Sequence, residues 1–138
     1  MKGLSVTKSI LSYIEKNLEN DLTLEKIAKE FHYSKFYLER MFKEHTGQTL
    51  YQYLKNRRLN EAARKLTKTQ QPIIEIALEA GYHSQQAFTQ AFHEAYAITP
   101  QKYRQTGTFL PIQEQIRLRI HGTCGGTRLQ SMGGRMAA

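Results

Sequence analysis

Apolar side chains recur at three- and four-residue intervals through the first hundred positions, and no stretch alternates apolar and polar residues as a strand would. Ile10, Tyr13, Ile14 and Leu18 predict a first helix near 7–19. Thr23 is placed to cap a second, whose apolar face is Leu24, Ile27, Ala28 and Phe31. Ser34 is placed to cap a third, with Tyr37, Leu38, Met41 and Phe42 inward and Gly47 as its stop. Thr49 opens the longest periodic stretch, about 49–67, through Leu50, Tyr53, Leu54, Leu59, Ala62, Ala63 and Leu66. Pro72 suits the first turn of a fifth helix carrying Ile73, Ile76, Ala77 and Ala80, which Gly81 ends. Ser84 begins a sixth around Phe88, Ala91, Phe92 and Tyr96, and Pro100 opens one further short turn. The pattern predicts an all-α fold of about seven helices.

The chain also matches itself at an offset of about 50 residues. Ile27-Ala28 corresponds to Ile76-Ala77, and Tyr33 to Tyr82. With one residue inserted after Tyr82, Leu38 matches Phe88, Phe42 matches Phe92, Thr49 matches Thr99 and Tyr53 matches Tyr103. Each copy, about 23–47 and 72–96, reads as helix, short turn, helix. The second helix of such a unit can enter the major groove of DNA. Two helix-turn-helix subdomains would then be joined by the long central helix. About 18 residues at 1.5 Å each make it about 27 Å long, on the scale of one ~34 Å turn of B-DNA. Two copies in one chain supply the two-site reading that other proteins obtain by dimerising.

Charge sharpens this picture. Lys and Arg number 20 against 12 Asp and Glu, a net +8 that favours polyanionic partners. The excess is concentrated: Lys35–Lys68 holds nine basic and three acidic residues, whereas Thr69–Gln101 has no Lys or Arg and three glutamates. No apolar run approaches the roughly 20 residues that span a bilayer, and the first residues lack a secretory h-region. The lone Cys124 excludes an intramolecular disulfide and a Cys-rich zinc site. A cytoplasmic protein is expected. Six of nine glycines fall in 107–138 and thirteen of fourteen aromatics precede 107, so the folded domain is expected to be 1–106. Residues 107–120 read as an arm, with Phe109–Ile120 open to being the truncated start of an effector domain. Residues 121–138 read as a flexible tail, natural or not.

Six stretches occur together, in order and at consistent spacing: LTLEKIA (22–28), YSKFYLERMFKEHTG (33–47), RRLNEAARKL (57–66), IIEIALEAGY (73–82), HSQQAFTQAF (83–92) and TPQKYR (99–104). Over residues 8–104 the chain resembles the DNA-binding domain of AraC/XylS-type bacterial transcription regulators, especially the MarA–SoxS–Rob group. The resemblance implies a sequence-specific regulator that inserts two recognition helices into successive major grooves of double-stranded DNA. It further implies an activator that recruits RNA polymerase, a monomer on DNA, with no cofactor and no membrane association.

In that group the first recognition helix presents an aromatic, then Gln-Arg, to the bases. Here those positions hold Phe36, Glu39 and Arg40. Arg40 can donate bidentately to a guanine edge; otherwise it is solvated or paired with Glu44. Phe36 either packs on a thymine methyl or belongs to the core. Glu39, replacing Gln, either accepts from cytosine N4 or salt-bridges Arg40 or Lys43. The group's second helix reads Ser-Gln-Gln, an apolar pair, then Thr-Arg; here it is Ser84, Gln85, Gln86, Ala87, Phe88, Thr89, Gln90. Base contacts are expected from Gln85, Gln86, Thr89 and Gln90, the last suited to adenine where the group has Arg. The first unit is expected to dominate affinity and the second selectivity. Phosphate contacts are expected from Ser34, Lys35, Lys43, Lys55, Arg57, Arg58, Ser84, Lys102 and Arg104.

An enzyme is not expected. His121 and Cys124 sit in a Gly-rich tail with nothing to orient them. His32, His45, His83 and His93 show no metal spacing, and no Gly-rich phosphate loop occurs. The alternative reading is a helix-turn-helix interaction module acting on RNA polymerase or another regulator, with only non-specific DNA binding. Arg40 and the basic stretch 35–68 favour DNA reading.

Overall fold

The computed structural model describes residues 2–118. The expectations for 119–138, the His121–Cys124 pair and the tail among them, lie outside the described residues. Seven helices follow one another: α1 (Lys2–Lys16), α2 (Leu24–Phe31), α3 (Lys35–Thr46), α4 (Leu50–Lys68), α5 (Ile73–Glu79), α6 (Gln85–Tyr96) and α7 (Pro100–Thr106). Among the described residues there is no strand, and no helix is long and apolar enough to cross a membrane.

The hydroxyl caps form at Thr23, Ser34, Thr49 and Ser84 as the sequence predicts, and Thr99 adds one that the sequence reading did not include. Thr23, Ser34, Ser84 and Thr99 each accept from a backbone N–H three residues on. Thr49 makes a full capping box: its hydroxyl accepts from Gln52 N while the Gln52 side chain accepts from Thr49 N. Each cap satisfies a helix-end donor that would otherwise stay unpaired, an effect of about 1 kcal/mol.

α1 differs from its predicted span near 7–19. It begins at Lys2 because its first turns dock on the first unit: Val6 packs against the core and buried Thr7 hydrogen-bonds His45 of α3 at 3.2 Å. It ends at Lys16 because Asn17 closes it, donating Nδ2 to Tyr13 O and its backbone N–H to Ile14 O.

Two hydrophobic cores form along one helix. The first gathers Ile10, Ile14, Ile27, Leu38 and Phe42 with Leu50, Tyr53 and Leu54 of α4. The second gathers Ile76, Ala77, Phe88, Phe92 and Tyr103 with Leu59, Ala62, Ala63 and Leu66 of α4. Arg57 and Arg58 occupy the seam between them.

Residues 107–118 run back along α4, tying the cores together. Tyr103 Oη accepts from Leu110 N, Asn60 Oδ1 accepts from Ile112 N and Gln113 N, and Tyr53 Oη accepts from Ile116 N. Phe109 and Ile112 pack on the second core and Ile116 is buried in the first. An extended segment has no internal partners for its backbone, so polar groups on α4 and α7 supply them.

On another stripe of α4, Lys65 donates to Glu19 after α1 and to Glu79 of α5. The Lys65 hydrogen bond, against some burial, holds the Glu79 carboxyl below its ordinary 4.5. A depressed carboxylate pKa adds stability that is complete above the unfolded value and disappears as pH falls through the folded one. We expect Lys65→Met to lower urea stability at pH 7 by less than about 1 kcal/mol, since Glu79 is partly solvated. The difference from wild type should close below about pH 4. An equal difference at pH 7 and pH 3 would remove the ion pair as its cause.

Candidate nucleic-acid interface

The two repeat copies build the same backbone device. After the first helix of each, a residue takes the left-handed conformation: His32 at φ 62° and Gly81 at φ 96°. The next residue then returns its N–H to the helix, Tyr33 to Ala28 O at 3.0 Å and Tyr82 to Ala77 O at 3.1 Å. Glycine enters this region freely, whereas histidine does so at a cost of about 1 kcal/mol. Ser34 and Ser84 then cap α3 and α6. The second helices close alike, on left-handed Gly47 and Ala97.

Each second helix buries one stripe and exposes another. In α3, Leu38, Met41 and Phe42 are buried, while Phe36, Glu39, Arg40, Lys43 and Glu44 face solvent. Phe36 is 76% exposed, so it is not a core residue; that alternative is corrected. Phe36, Glu39, Arg40, Lys43 and Glu44 line one shallow groove with Thr49. Among the described residues Glu39 and Arg40 make no salt bridge, so neither is held by the pairings open to it in the sequence. Among the described residues none of Arg40's five N–H donors has a partner, which leaves them for a ligand.

In α6, Phe88 and Phe92 are buried and Gln85, Gln86 and Gln90 are exposed, with Thr89 half-buried beside them. This surface is neutral. Its amides can pair with base edges, but it lacks the long-range pull that Lys and Arg give.

The expected phosphate set divides. Lys43 and Lys102 are exposed, Lys55 is half-buried, and none makes a salt bridge among the described residues. Lys35 pairs with Glu25 at 3.2 Å, both ends wet; such a pair is weak and leaves the ammonium free to exchange partners. Ser34 and Ser84 accept from the backbone through Oγ and keep a hydroxyl proton to donate.

Arg57, Arg58 and Arg104 are corrected: their guanidinium groups are occupied inside the protein. Arg57 is 7% exposed and grips Glu15 with two bonds, Nε to Oε2 at 2.6 Å and Nη2 to Oε1 at 2.8 Å. Its Nη1 donates to Gln113 O at 3.0 Å. Burial opposes its charge, but the hydrogen bonds and charge of Glu15 outweigh it, and its pKa lies above the ordinary value. Arg58 donates to Leu18 O and Asn20 O. Arg104 donates to Leu66 O and Gln71 O, closing the end of α4. Arg57 commits all three of its nitrogens to carboxylates and a carbonyl; Arg58 and Arg104, half-buried, commit Nε and Nη2 to carbonyls, so the protein fixes where these groups point.

Asn60, Gln113 and Lys65 escaped the sequence reading. A signal for Arg57 and Asn60 was present: they follow Tyr53 at four and seven residues, on the buried stripe of α4. Gln113 and Lys65 had none. Among the described residues, no group of three His, Cys, Asp or Glu gathers as a metal site would.

Comparison with known proteins agrees with this geometry. A helix-turn-helix domain family model matches residues 27–106. The multiple antibiotic resistance protein MarA of Escherichia coli K12 is 45% identical over 98 residues, 71% of this chain and 77% of that protein. The regulatory protein SoxS of the same organism is 38% identical over 104 residues, 75% of this chain and 97% of that one. A crystal structure from Chromobacterium violaceum, a transcriptional regulator of the AraC-type DNA-binding domain class, superposes with a TM-score of 0.69. It is 29% identical, covering 78% of this chain and 97% of its own.

Proposed function

We propose that this chain, which belongs to the AraC-type family of helix-turn-helix transcription regulators, reads two blocks of double-stranded DNA with α3 and α6. The observation that carries this is the pair of matching helices, each begun by a Ser cap after a left-handed turn of the same hydrogen bonding, one residue longer in the second unit, and each with a solvent-facing stripe of groups that recognise base edges. Arg40 reads guanine, Glu39 accepts from cytosine N4, and Phe36 packs on a thymine methyl. Gln85, Gln86, Thr89 and Gln90 read the second block. Ser34, Lys35, Lys43, Lys55, Ser84 and Lys102 hold the backbone.

α4 has 19 residues and is about 28 Å long at 1.5 Å per residue. That length suits two helices entering successive major grooves about 34 Å apart on one face. One chain supplies both readers, so it acts as a monomer in the cytoplasm. It activates transcription by engaging RNA polymerase.

The test is selection from randomised duplexes, followed by fluorescence-anisotropy binding across salt. A motif of two blocks about one helical turn apart is expected. Four lysines on phosphates give a slope of log K against log salt of about −4. Salt-sensitive binding without any enriched motif would sink base reading and leave only backbone attraction.

A further inference from the structure

The two cores meet at the waist of α4, where Arg57 and Arg58 interrupt its apolar stripe. A lone helix bends gently, and two cores strung on one helix would rock about such a waist. Two side chains on a single stripe of α4 resist this. Arg58 grips the first unit through Leu18 O at 3.0 Å and Asn20 O at 2.7 Å. The same guanidinium lies under the turn of the second unit: a Cβ added at Gly81 would sit 3.0 Å from Nη1. Lys65, two turns further on, bonds Glu19 of the first unit and Glu79 of the second at once. The groove between the units is lined by both side chains and by Glu19 and Glu79. The arm ties the units along Tyr53 and Asn60, about 140° around the helix at 100° per residue.

We propose that Arg58 and Lys65 are the positioning residues that set the spacing and phase of α3 relative to α6, and thereby the length of spacer between half-sites that the protein accepts. This rests on the two-block reading above. The chemistry suits the role. Arg58 is directional, holding two backbone carbonyls that cannot swing away. Lys65 is a compact point charge that draws in a flexible carboxylate from each side. Neither faces a ligand, so each acts only through the geometry of other residues. Adding one base pair moves the second block by about 3.4 Å and turns it by about 34°. A braced protein cannot follow this; a loosened one can.

The experiment compares binding to the selected duplex and to duplexes with one base pair added or removed between its blocks. Wild type should lose roughly 30-fold on either change, about the cost of one lost base contact. Lys65→Met and Arg58→Met should each reduce that penalty to below about 5-fold. Affinity at the original spacing should fall no more than about 3-fold. Lys65→Arg should restore the wild-type penalty. A variant that keeps the full penalty, or weakens equally at every spacing, overturns the proposal. If selection yields no two-block motif, the reading beneath it fails instead.

A measurement without DNA separates the two. Spin labels on Glu30→Cys and Glu94→Cys, in a Cys124→Ser background of the full chain, report the distance between units. A narrow distribution that broadens in Lys65→Met supports the brace. An unchanged distribution, with helical circular dichroism intact, overturns it whatever the DNA results.

Discussion

Replacing Arg57 by leucine is expected to destabilise the fold by about 3 kcal/mol while leaving the salt dependence of DNA binding unchanged. The guanidinium joins three parts of the molecule. It holds α1 through Glu15, α4 through Glu61 at 3.4 Å, and the arm through Gln113 O. Leucine fills part of the space but leaves Glu15 a charge without a partner and Gln113 a carbonyl without a donor. Breaking a buried pair from one side typically costs 3–5 kcal/mol. The Glu15 side chain is 18% exposed, so water recovers some of that loss and the lower end applies. Urea unfolding should show a lower midpoint at similar slope. Lysine should rescue only partly, because a point charge cannot make both bonds to the carboxylate. A phosphate-binding Arg57 would behave oppositely, with stability kept and the salt slope reduced by about one.

Arg40→Ala should weaken binding to the selected duplex by roughly 30-fold, about 2 kcal/mol, the middle of the range for a bidentate contact to guanine. The loss should concentrate at one base pair: substituting that guanine should cost wild type heavily and the variant little. Stability should hardly change, because the exposed guanidinium has no salt bridge among the described residues. Gln86→Ala with Gln90→Ala should cost less, roughly 5- to 10-fold. Those amides are neutral, and residues 69–101 carry no Lys or Arg to hold the backbone near them. If the double variant lost more than Arg40→Ala, α6 rather than α3 would anchor the complex.

Much of this protein is legible without coordinates, for a local reason. Helix caps, turns and amphipathic stripes depend on residues within four or five positions of each other. Thr23, Ser34, Thr49 and Ser84 could therefore be placed at helix starts from the sequence alone. The repeat of Ala28-Tyr33 in Ala77-Tyr82 reports one backbone turn made twice. The exposed faces of α3 and α6 follow from the same periodicity, once Leu38, Phe42, Phe88 and Phe92 are seen to point inward.

The basic residues were not legible in this way. Arg57, Arg58 and Arg104 read from the sequence like Lys43 and Lys102, since a positive charge by itself does not reveal its partner. Their partners lie far along the chain: Glu15 is 42 residues from Arg57, and Leu66 is 38 from Arg104. For Phe36 the sequence left a surface and a core position both open, and packing leaves it in water. Seven helices, most of their caps, the repeat and the exposed faces of α3 and α6 follow from the sequence, because those are short-range properties of backbone and period. The partners of Arg57, Arg58 and Arg104, the path of residues 107–118 and the junction that Arg58 and Lys65 make between the units come from tertiary packing. Those outcomes depend on burial and on long-range pairing.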